Sequence, residues 1–529
     1  MPTLEWIGKD KVVNHHLEVP YRVLERQYSY DADGRHEADN ASENMVIHGD
    51  NLEALKALLP QYEGRVKCIY IDPPYNTGNE GWVYNDNVND PRMRDWLHKT
   101  VGKEGEDLSR HDKWLCMMYP RLKLLQKMLH PTEGSIFISI DENEVHNLKL
   151  ICHEIFGASH HVATIAWQKR YSRENRGAIG DAHEYILVYA SDVETFKEIR
   201  HKVEFDENSA KVYKNPNNDP KGRWRAVPMT AQGYRPNQMY PITTPSGKVH
   251  YPPQGRCWST VESEYKKLLA AGRIYFGKNG DSQPSTIRYL SEVEGMVPWT
   301  WWPHDEVGHT DEAKKEIIAI LGDADSFDTP KPTRLLNRIL QIATNPNDII
   351  LDSFAGSGTT AHAVLNMNKA DGGNRRFILV EMGDYADTIT AERVKRVIDG
   401  YGEGKKAVEG TGGSFSYYEL GEPLMCGDVL NENVGIEKIR EYVYFTDTKN
   451  RPPAPHPDEP YFMGLHVSSA YYFCYEKDRA VTLNRELLHT VKTRAASYVM
   501  YADLCTLSEA ELEKYHITFK KIPRDITRL

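Results

Sequence analysis

Four consecutive residues, Asp72-Pro73-Pro74-Tyr75, combine types suited to holding an amino group beside a flat ring. A carboxylate and a neighbouring carbonyl accept two hydrogen bonds from an exocyclic amino group, and a tyrosine ring stacks on the base that carries it. That chemistry fits a nucleobase turned out of its helix. The prolines fix φ and remove two backbone donors, so the loop is stiff and presents carbonyls. The apolar run Val66-Lys67-Cys68-Ile69-Tyr70-Ile71 before it reads as a buried parallel strand. A loop at the carboxyl end of such a strand lies where open α/β sheets bind ligands. Asp-Pro-Pro is also an ordinary turn sequence, so the wider chain has to decide between the two.

A second constellation lies far downstream. Asp352-Ser353-Phe354-Ala355-Gly356-Ser357-Gly358 follows the run Asp348-Ile349-Ile350-Leu351 and leads into a helix starting near Ala361. Its glycines allow close backbone approach, and a helix N-terminus presents amide groups to a ligand. A dinucleotide fingerprint is missing, since Ala361 stands where the third glycine belongs, and there is no Gly-Lys-Ser/Thr phosphate loop. Glu381 ends the next strand, Arg376 to Glu381, where an acid can hold two ribose hydroxyls. The pattern suits a nucleoside with a small charged tail.

The intervening chain supplies elements to position these loops. Met45 to Asp50 reads as a strand and Asn51 to Leu59 as an amphipathic helix, which with the strand ending at Asp72 makes a strand–helix–strand unit. Residues 76 to 111, rich in Asn, Gly, Asp and charge, read as a functional loop. A helix over 112–130, a strand over 135–140, a helix over 143–156 and strands over 162–168 and 184–190 follow. Between 195 and 300 the texture becomes short, polar and rich in Pro, Gly and aromatics, which predicts an inserted strand-rich domain. A helix over 333–344 then reopens the alternation, and residues 400 to 413 read as a linker. The expected organisation is an N-terminal arm over 1–43, a core in two parts over 44–194 and 301–404, the insertion over 195–300, and a small C-terminal α/β domain over 405–529.

With 529 residues, 40% apolar and 27% charged, the chain predicts a multidomain globular protein. Its start has no basic segment followed by an apolar core, so no signal peptide is expected, and no apolar run is long enough to span a bilayer. Seven scattered cysteines, none in a Cys-x-x-Cys pair, suggest reduced thiols and a cytoplasmic location. The histidines, 21 in all, show no metal-binding spacing, so no metal is expected. A net charge of −11 argues against indiscriminate coating of nucleic acid. Residues 195–275 nevertheless hold 14 Lys and Arg against 7 Asp and Glu, interleaved with Trp224, Tyr234, Tyr240, Tyr251 and Trp258. Such a stretch can neutralise phosphates and touch bases, or be an ordinary charged surface.

Phe354-Ala-Gly-Ser-Gly358 resembles the FxGxG motif of S-adenosylmethionine-dependent DNA amino-methyltransferases, and Asp72-Pro-Pro-Tyr75 resembles their DPPY motif. The catalytic motif precedes the cofactor motif, the circularly permuted order of the β class. Together with Asn76-Thr77-Gly78, the segment Trp299 to His309 and Thr329-Pro-Lys-Pro332, this most resembles the Mod subunits of type III restriction–modification systems. The resemblance implies a Rossmann-like α/β sheet with helices on both faces, residues 195–300 as a target-recognition domain, and adenine-N6 methylation of double-stranded DNA. It also implies a homodimer and, where restriction occurs, a separate restriction subunit.

By the same resemblance Asp72, Pro73, Pro74 and Tyr75 are catalytic, and Tyr75 and Trp167 line the target-base pocket. Asp50, Lys331, Pro332, Asp352, Phe354, Gly356, Gly358 and Glu381 bind the cofactor. For three of these the residues allow plainer readings: Asp50 as a helix cap, Lys331 as a solvent-facing lysine, Trp167 as a core side chain. Cytosine-N4 methylation is the alternative activity, although many such enzymes carry Ser in place of the acid. A non-catalytic DNA-specificity subunit is a third reading, disfavoured by the intact Asp72, Tyr75, Gly356 and Glu381.

Overall fold

The computed structural model describes residues 3–77, 110–172, 179–203, 210–216, 218–323, 327–427, 429–450, 452–453 and 458–524. Most of the loop expected over 76–111 lies outside them. The chain divides into two compact units, one of residues 1–200 with 299–529 and one of His201–Pro298.

The larger unit is built on an eleven-stranded sheet. In chain order its strands are β1 (Arg22–Asp31), β2 (Gly34–His36), β3 (Met45–His48), β4 (Cys68–Ile71), β5 (Ser135–Ile140), β6 (His161–Gln168), β7 (His183–Ala190), β8 (Trp301–Trp302), β9 (Ile349–Asp352), β10 (Arg376–Glu381) and β11 (Ser414–Pro423). Across the sheet they run β8-β6-β7-β5-β4-β9-β10-β3-β11-β1-β2. From β5 to β11 every neighbouring pair is parallel, and β4 pairs directly with β9. The crossing from β4 to β9 brings together two segments some 280 positions apart in sequence, which is how the two motif loops come to share one sheet edge.

The strands are apolar on both faces, as a sheet covered on both sides requires. Met45, Ile47, Ile69, Ile71, Ile136, Ile138, Leu351, Ile378 and Val380 face a core shared with helices α1 (Asn51–Tyr62), α2 (Arg110–Met128) and α3 (Val145–Ile155). Val46, Tyr70, Phe137, Ile350, Phe377 and Leu379, one residue out of step, are equally buried. Helices α4 (Thr333–Ala343), α5 (Thr359–Asp371) and α6 (Glu392–Asp399) form a second packed set. The expected α/β sheet is therefore present, and each strand and helix anticipated in the two core parts falls within a few residues of its expected place.

At the chain ends the structure departs from the expected boundaries. The N-terminal segment, expected as an arm, contributes a strand of the main sheet: β1 pairs antiparallel with β11. The C-terminal region does not begin as a separate domain, because β11 pairs parallel with β3 inside the main sheet. The linker over 400–413 folds into a short antiparallel pair, Gly400–Tyr401 with Val408–Glu409. Beyond β11 a four-stranded sheet, Phe462–His466, Ser469–Phe473, Ser497–Ala502 and Ile517–Lys521, packs into two small cores, one of them shared with Tyr21 and with Val23 of β1.

The smaller unit holds short strands, including a three-stranded sheet of Ile274–Tyr275, Ser285–Tyr289 and Trp224–Pro228. Of the five aromatics interleaved with its basic residues, Tyr240 and Trp258 are buried in one small core and Trp224 in another, leaving Tyr234 and Tyr251 exposed. Small sheets need a large apolar payload per residue, and aromatics supply it.

Candidate active site

The chain leaves β4 at Asp72 and leaves the adjacent β9 at Asp352, so two acids stand side by side at the carboxyl edge. A cleft of about 290 Å³ opens between their loops, with Asp72, Lys331, Asp352, Phe354 and Gly356 among its lining.

On the proline side, Asp72 is held from two directions. Lys331 Nζ donates to Oδ2 at 2.6 Å, and the Tyr75 hydroxyl lies 2.9 Å from Oδ1. Lys331 also sits 5.0 Å from the centre of the Tyr75 ring and 4.0 Å from Glu184. The Tyr75 hydroxyl reaches Glu184 Oε2 at 3.0 Å, and Lys169 pairs with Glu184 at 3.3 Å and Asp181 at 2.8 Å. Trp114 of α2 donates its ring N–H to the Pro74 carbonyl at 2.6 Å, pinning the loop from behind. Burial pushes the Asp72 carboxyl above its ordinary range, and the Lys331 ammonium offsets part of that. Burial acts against the Lys331 charge too, yet Asp72 and Glu184 more than compensate and hold the ammonium above its ordinary value.

On the glycine side backbone amides do much of the holding. Asp352 Oδ1 accepts the Phe354 amide at 3.1 Å, and Thr360 of α5 donates its hydroxyl to Oδ2. Glu381, at the end of β10, accepts the amides of Gly356 at 2.7 Å and Gly383 at 2.8 Å, fastening the turn to the neighbouring strand. Gly358 caps α5 with φ 79°, and a Cβ there would meet the Thr390 carbonyl at 2.9 Å, so glycine is required. Burial raises the Asp352 carboxyl to about 7, with Asp72 and Glu381 nearby adding to it. A cleft with this much carboxylate and one ammonium suits a ligand that brings positive charge.

A family model described as DNA methylase matches residues 66–444. The chain belongs to this DNA methylase family. Among curated relatives, it is 38% identical over 74% of its length to the Mod subunit of the StyLTI type III restriction-modification enzyme of Salmonella typhimurium, covering 62% of that protein. It is 32% identical over 72% of its length to the EcoPI Mod subunit of Escherichia phage P1, covering 63% of it. To the type II methyltransferase M.KpnI of Klebsiella pneumoniae it is 32% identical over 65% of its length, covering 81% of that protein. The chain thus spans under two thirds of the length of these two Mod subunits.

The expected methylase residues separate into those that meet and those that do not. Asp72, Tyr75, Lys331, Asp352, Phe354 and Gly356 converge on the cleft or its rim, and Gly358 and Glu381 shape the turn behind it. Lys331 is buried at 9% exposure and paired with Asp72, so the solvent-facing reading fails. Pro332 caps α4 and turns the chain after Lys331. Asp50 is a helix cap: Oδ1 accepts the amides of Leu52 and Glu53, and Oδ2 takes Arg121 at 2.9 Å, so both oxygens already have partners. Trp167 is fully buried in β6 with its ring N–H on the Gly308 carbonyl at 3.0 Å. The expected place in a base pocket is corrected to the core, because an indole with no exposed surface has no face left for a base.

Three residues that brace the site were not anticipated. Glu184 is an acid at the start of an otherwise apolar strand, and Arg121 interrupts the apolar stripe of α2; each misfit was visible in the sequence. Arg121 donates to Asn51, and Asn51 donates to the Ser353 carbonyl at 2.9 Å, tying the two halves of the core together. Fully buried Arg393 donates to Ser357 at 3.0 Å, Thr359 at 2.8 Å and Thr333 at 3.1 Å and pairs with Glu316, joining the glycine turn to the helix that follows Lys331. Its signal was hidden in a charged helix.

Proposed function

We propose that this chain transfers a methyl group from S-adenosylmethionine to the N6 amino group of an adenine turned out of duplex DNA, at a specific sequence. The observation that supports it most is the cleft itself, where an acid–aromatic pair and a glycine turn from adjacent strands share one space with one buried lysine.

When bound, S-adenosylmethionine supplies an activated methyl group on a cationic sulfur. Acids at 72 and 352 in the cleft, with Glu381 behind the glycine turn, favour that charge. Asp72 accepts one N6–H hydrogen bond. The second acceptor is the Pro73 carbonyl, since the carbonyl of Pro74 serves Trp114. These two bonds draw the nitrogen lone pair out of the ring and aim it along the line of transfer. Tyr75 stacks on the base. Because N6 loses its proton only after the new bond forms, Asp72 needs no unusual basicity to receive it. Asp50, with its oxygens on the helix and Arg121, contributes by fixing the β3–α1 turn.

Residues 201–298 would read the sequence, with exposed Tyr234 and Tyr251 and the arginines of that unit facing DNA. Two copies of the chain would act together, with restriction supplied by a separate chain in the cytoplasm. No helix among the described residues is long and apolar enough to cross a membrane.

The test is incubation with duplex DNA and S-adenosylmethionine carrying a labelled methyl group, followed by nucleoside analysis and single-molecule sequencing. Label on adenine N6 at one recurring sequence is expected. Label on cytosine N4 would transfer the assignment to that base, and no incorporation would leave the non-catalytic specificity reading.

A further inference from the structure

We propose that Glu184 is a positioning residue: it draws the Tyr75 hydroxyl proton away from Asp72 and so keeps Asp72 Oδ1 available to the target amino group. This deepens the methyl-transfer reading and rests on it.

The geometry poses a problem of proton counting. The Tyr75 hydroxyl stands 2.9 Å from Asp72 Oδ1 and 3.0 Å from Glu184 Oε2, and a phenol has one hydrogen to donate. Donated to Asp72, it spreads that carboxylate's charge over a bond inside the protein, while Lys331 already occupies Oδ2 at 2.6 Å. An incoming N6–H would then meet an acceptor engaged on both oxygens. Donated to Glu184, it leaves one oxygen of Asp72 for the base. Nothing is transferred in this step; a hydroxyl rotates between two acceptors.

The surroundings favour Glu184 as the working acceptor. Lys169 lies 3.3 Å from it and Lys331 4.0 Å, so its negative charge is supported in a buried position, at 7% exposure. Lys169 is itself steadied by Asp181 at 2.8 Å. Glu184 comes from β7, two strands from β4, and so ties the catalytic loop to the sheet beyond β5. The same bond fixes the tilt of the Tyr75 ring, on which stacking depends.

Single-turnover methyl transfer at saturating DNA and S-adenosylmethionine separates the outcomes, using wild type, Glu184→Gln, Glu184→Asp, Tyr75→Phe and the Tyr75→Phe/Glu184→Gln double variant. Glutamine has the size of glutamate but is a weaker acceptor. E184Q is expected to lose about 10- to 100-fold in rate, with cofactor affinity and melting temperature close to wild type. E184D, which keeps the charge, should recover part of that loss. In the Tyr75→Phe background, with no hydroxyl left to direct, the E184Q loss should disappear. An E184Q rate equal to wild type overturns the inference, as does the same loss with and without the hydroxyl, or equal losses in E184Q and E184D. Should E184Q fail to fold, E184D and the Tyr75→Phe/Glu184→Asp double variant decide instead: a partial loss in E184D that disappears in the double variant supports the inference, and no loss, or a loss that persists without the hydroxyl, overturns it. A wild-type protein that transfers no methyl group to DNA overturns the reading beneath, a result distinct from these.

Discussion

The chain leaves β4 through two prolines and leaves β9 through a turn with two glycines, on neighbouring strands of one sheet. The proline loop is held by side chains: Lys331, Tyr75, Glu184 and Trp114 each fix an atom of it. The glycine turn is held first by its own amides on Asp352 and Glu381, with Thr360 and Arg393 bracing it from behind. On the proposed reading, the difference follows from what each loop has to present. Acceptors aimed at an amino group need a stiff, donor-poor loop that other side chains can charge and tilt. A turn that admits a ligand against its backbone cannot carry side chains at all where it passes closest, and must be braced from behind.

The largest effect is expected from breaking the proline side. Asp72→Asn keeps the size of the side chain but replaces an acceptor with a donor, so N6–H loses its stronger partner and Lys331 loses its counter-charge. Methyl transfer should fall at least about 10²- to 10³-fold, measured in single turnover, while calorimetry shows S-adenosylmethionine still binding. If both fall together, the two loops are not separable in function.

Gly358→Ala breaks the other side. The backbone at φ 79° and the Thr390 carbonyl 2.9 Å from the added carbon oppose it jointly. Strain of about 1–3 kcal/mol is expected, felt as lower cofactor affinity by roughly tenfold or more. Transfer at saturating cofactor should suffer less. Loss confined to turnover, with affinity intact, would contradict the division of labour.

The proline and glycine loops were legible in sequence because each is short, local and carried by residues with strong backbone preferences. The parallel strands were legible for a related reason, since burial on two faces writes an unbroken apolar run such as Cys68-Ile-Tyr-Ile71. Strand β1, Arg22-Val-Leu-Glu-Arg-Gln-Tyr-Ser-Tyr-Asp31, carries no such run, and its partner β11 lies about 390 residues away, so it reads as a polar arm. The Lys331–Asp72 pair spans 259 residues, and only the fold reveals it. Side-chain bracing acts over such distances, whereas backbone bracing shows itself in the local motif. The less legible part of the site is therefore its side-chain bracing, by Lys331 and Glu184 on the proline side and by Arg393 on the glycine side.

Asp352 sharpens the comparison through pH. Its carboxyl sits at about 7 against an ordinary 3.8, so between these values the folded chain keeps a proton that the unfolded chain releases. Stability is therefore lost as pH rises from about 4 to 7, by up to about 4 kcal/mol from this group. Asp352→Asn retains an acceptor for the Phe354 amide and removes the titration. Urea denaturation should show the variant losing less stability than wild type across that window, with the gap widest near neutrality. Parallel curves would mean that a bound cation or Lys331 already offsets the charge.

The smallest effect tests the boundary of the site. Trp167 lies in β6, its indole N–H on the Gly308 carbonyl at 3.0 Å and no surface exposed. Trp167→Phe leaves that buried carbonyl without its donor and a gap where the larger ring was, at a cost of about 1–3 kcal/mol in stability. Because the ring has no face toward the cleft, DNA affinity by fluorescence anisotropy and the single-turnover rate should both stay near wild type at temperatures where the variant is folded. A tryptophan that stacked on the target base would give the reverse, with DNA binding weakened and melting unchanged. The outcome decides whether the aromatic contribution to the base pocket comes from the proline loop, through Tyr75, or is shared with the far strands of the sheet.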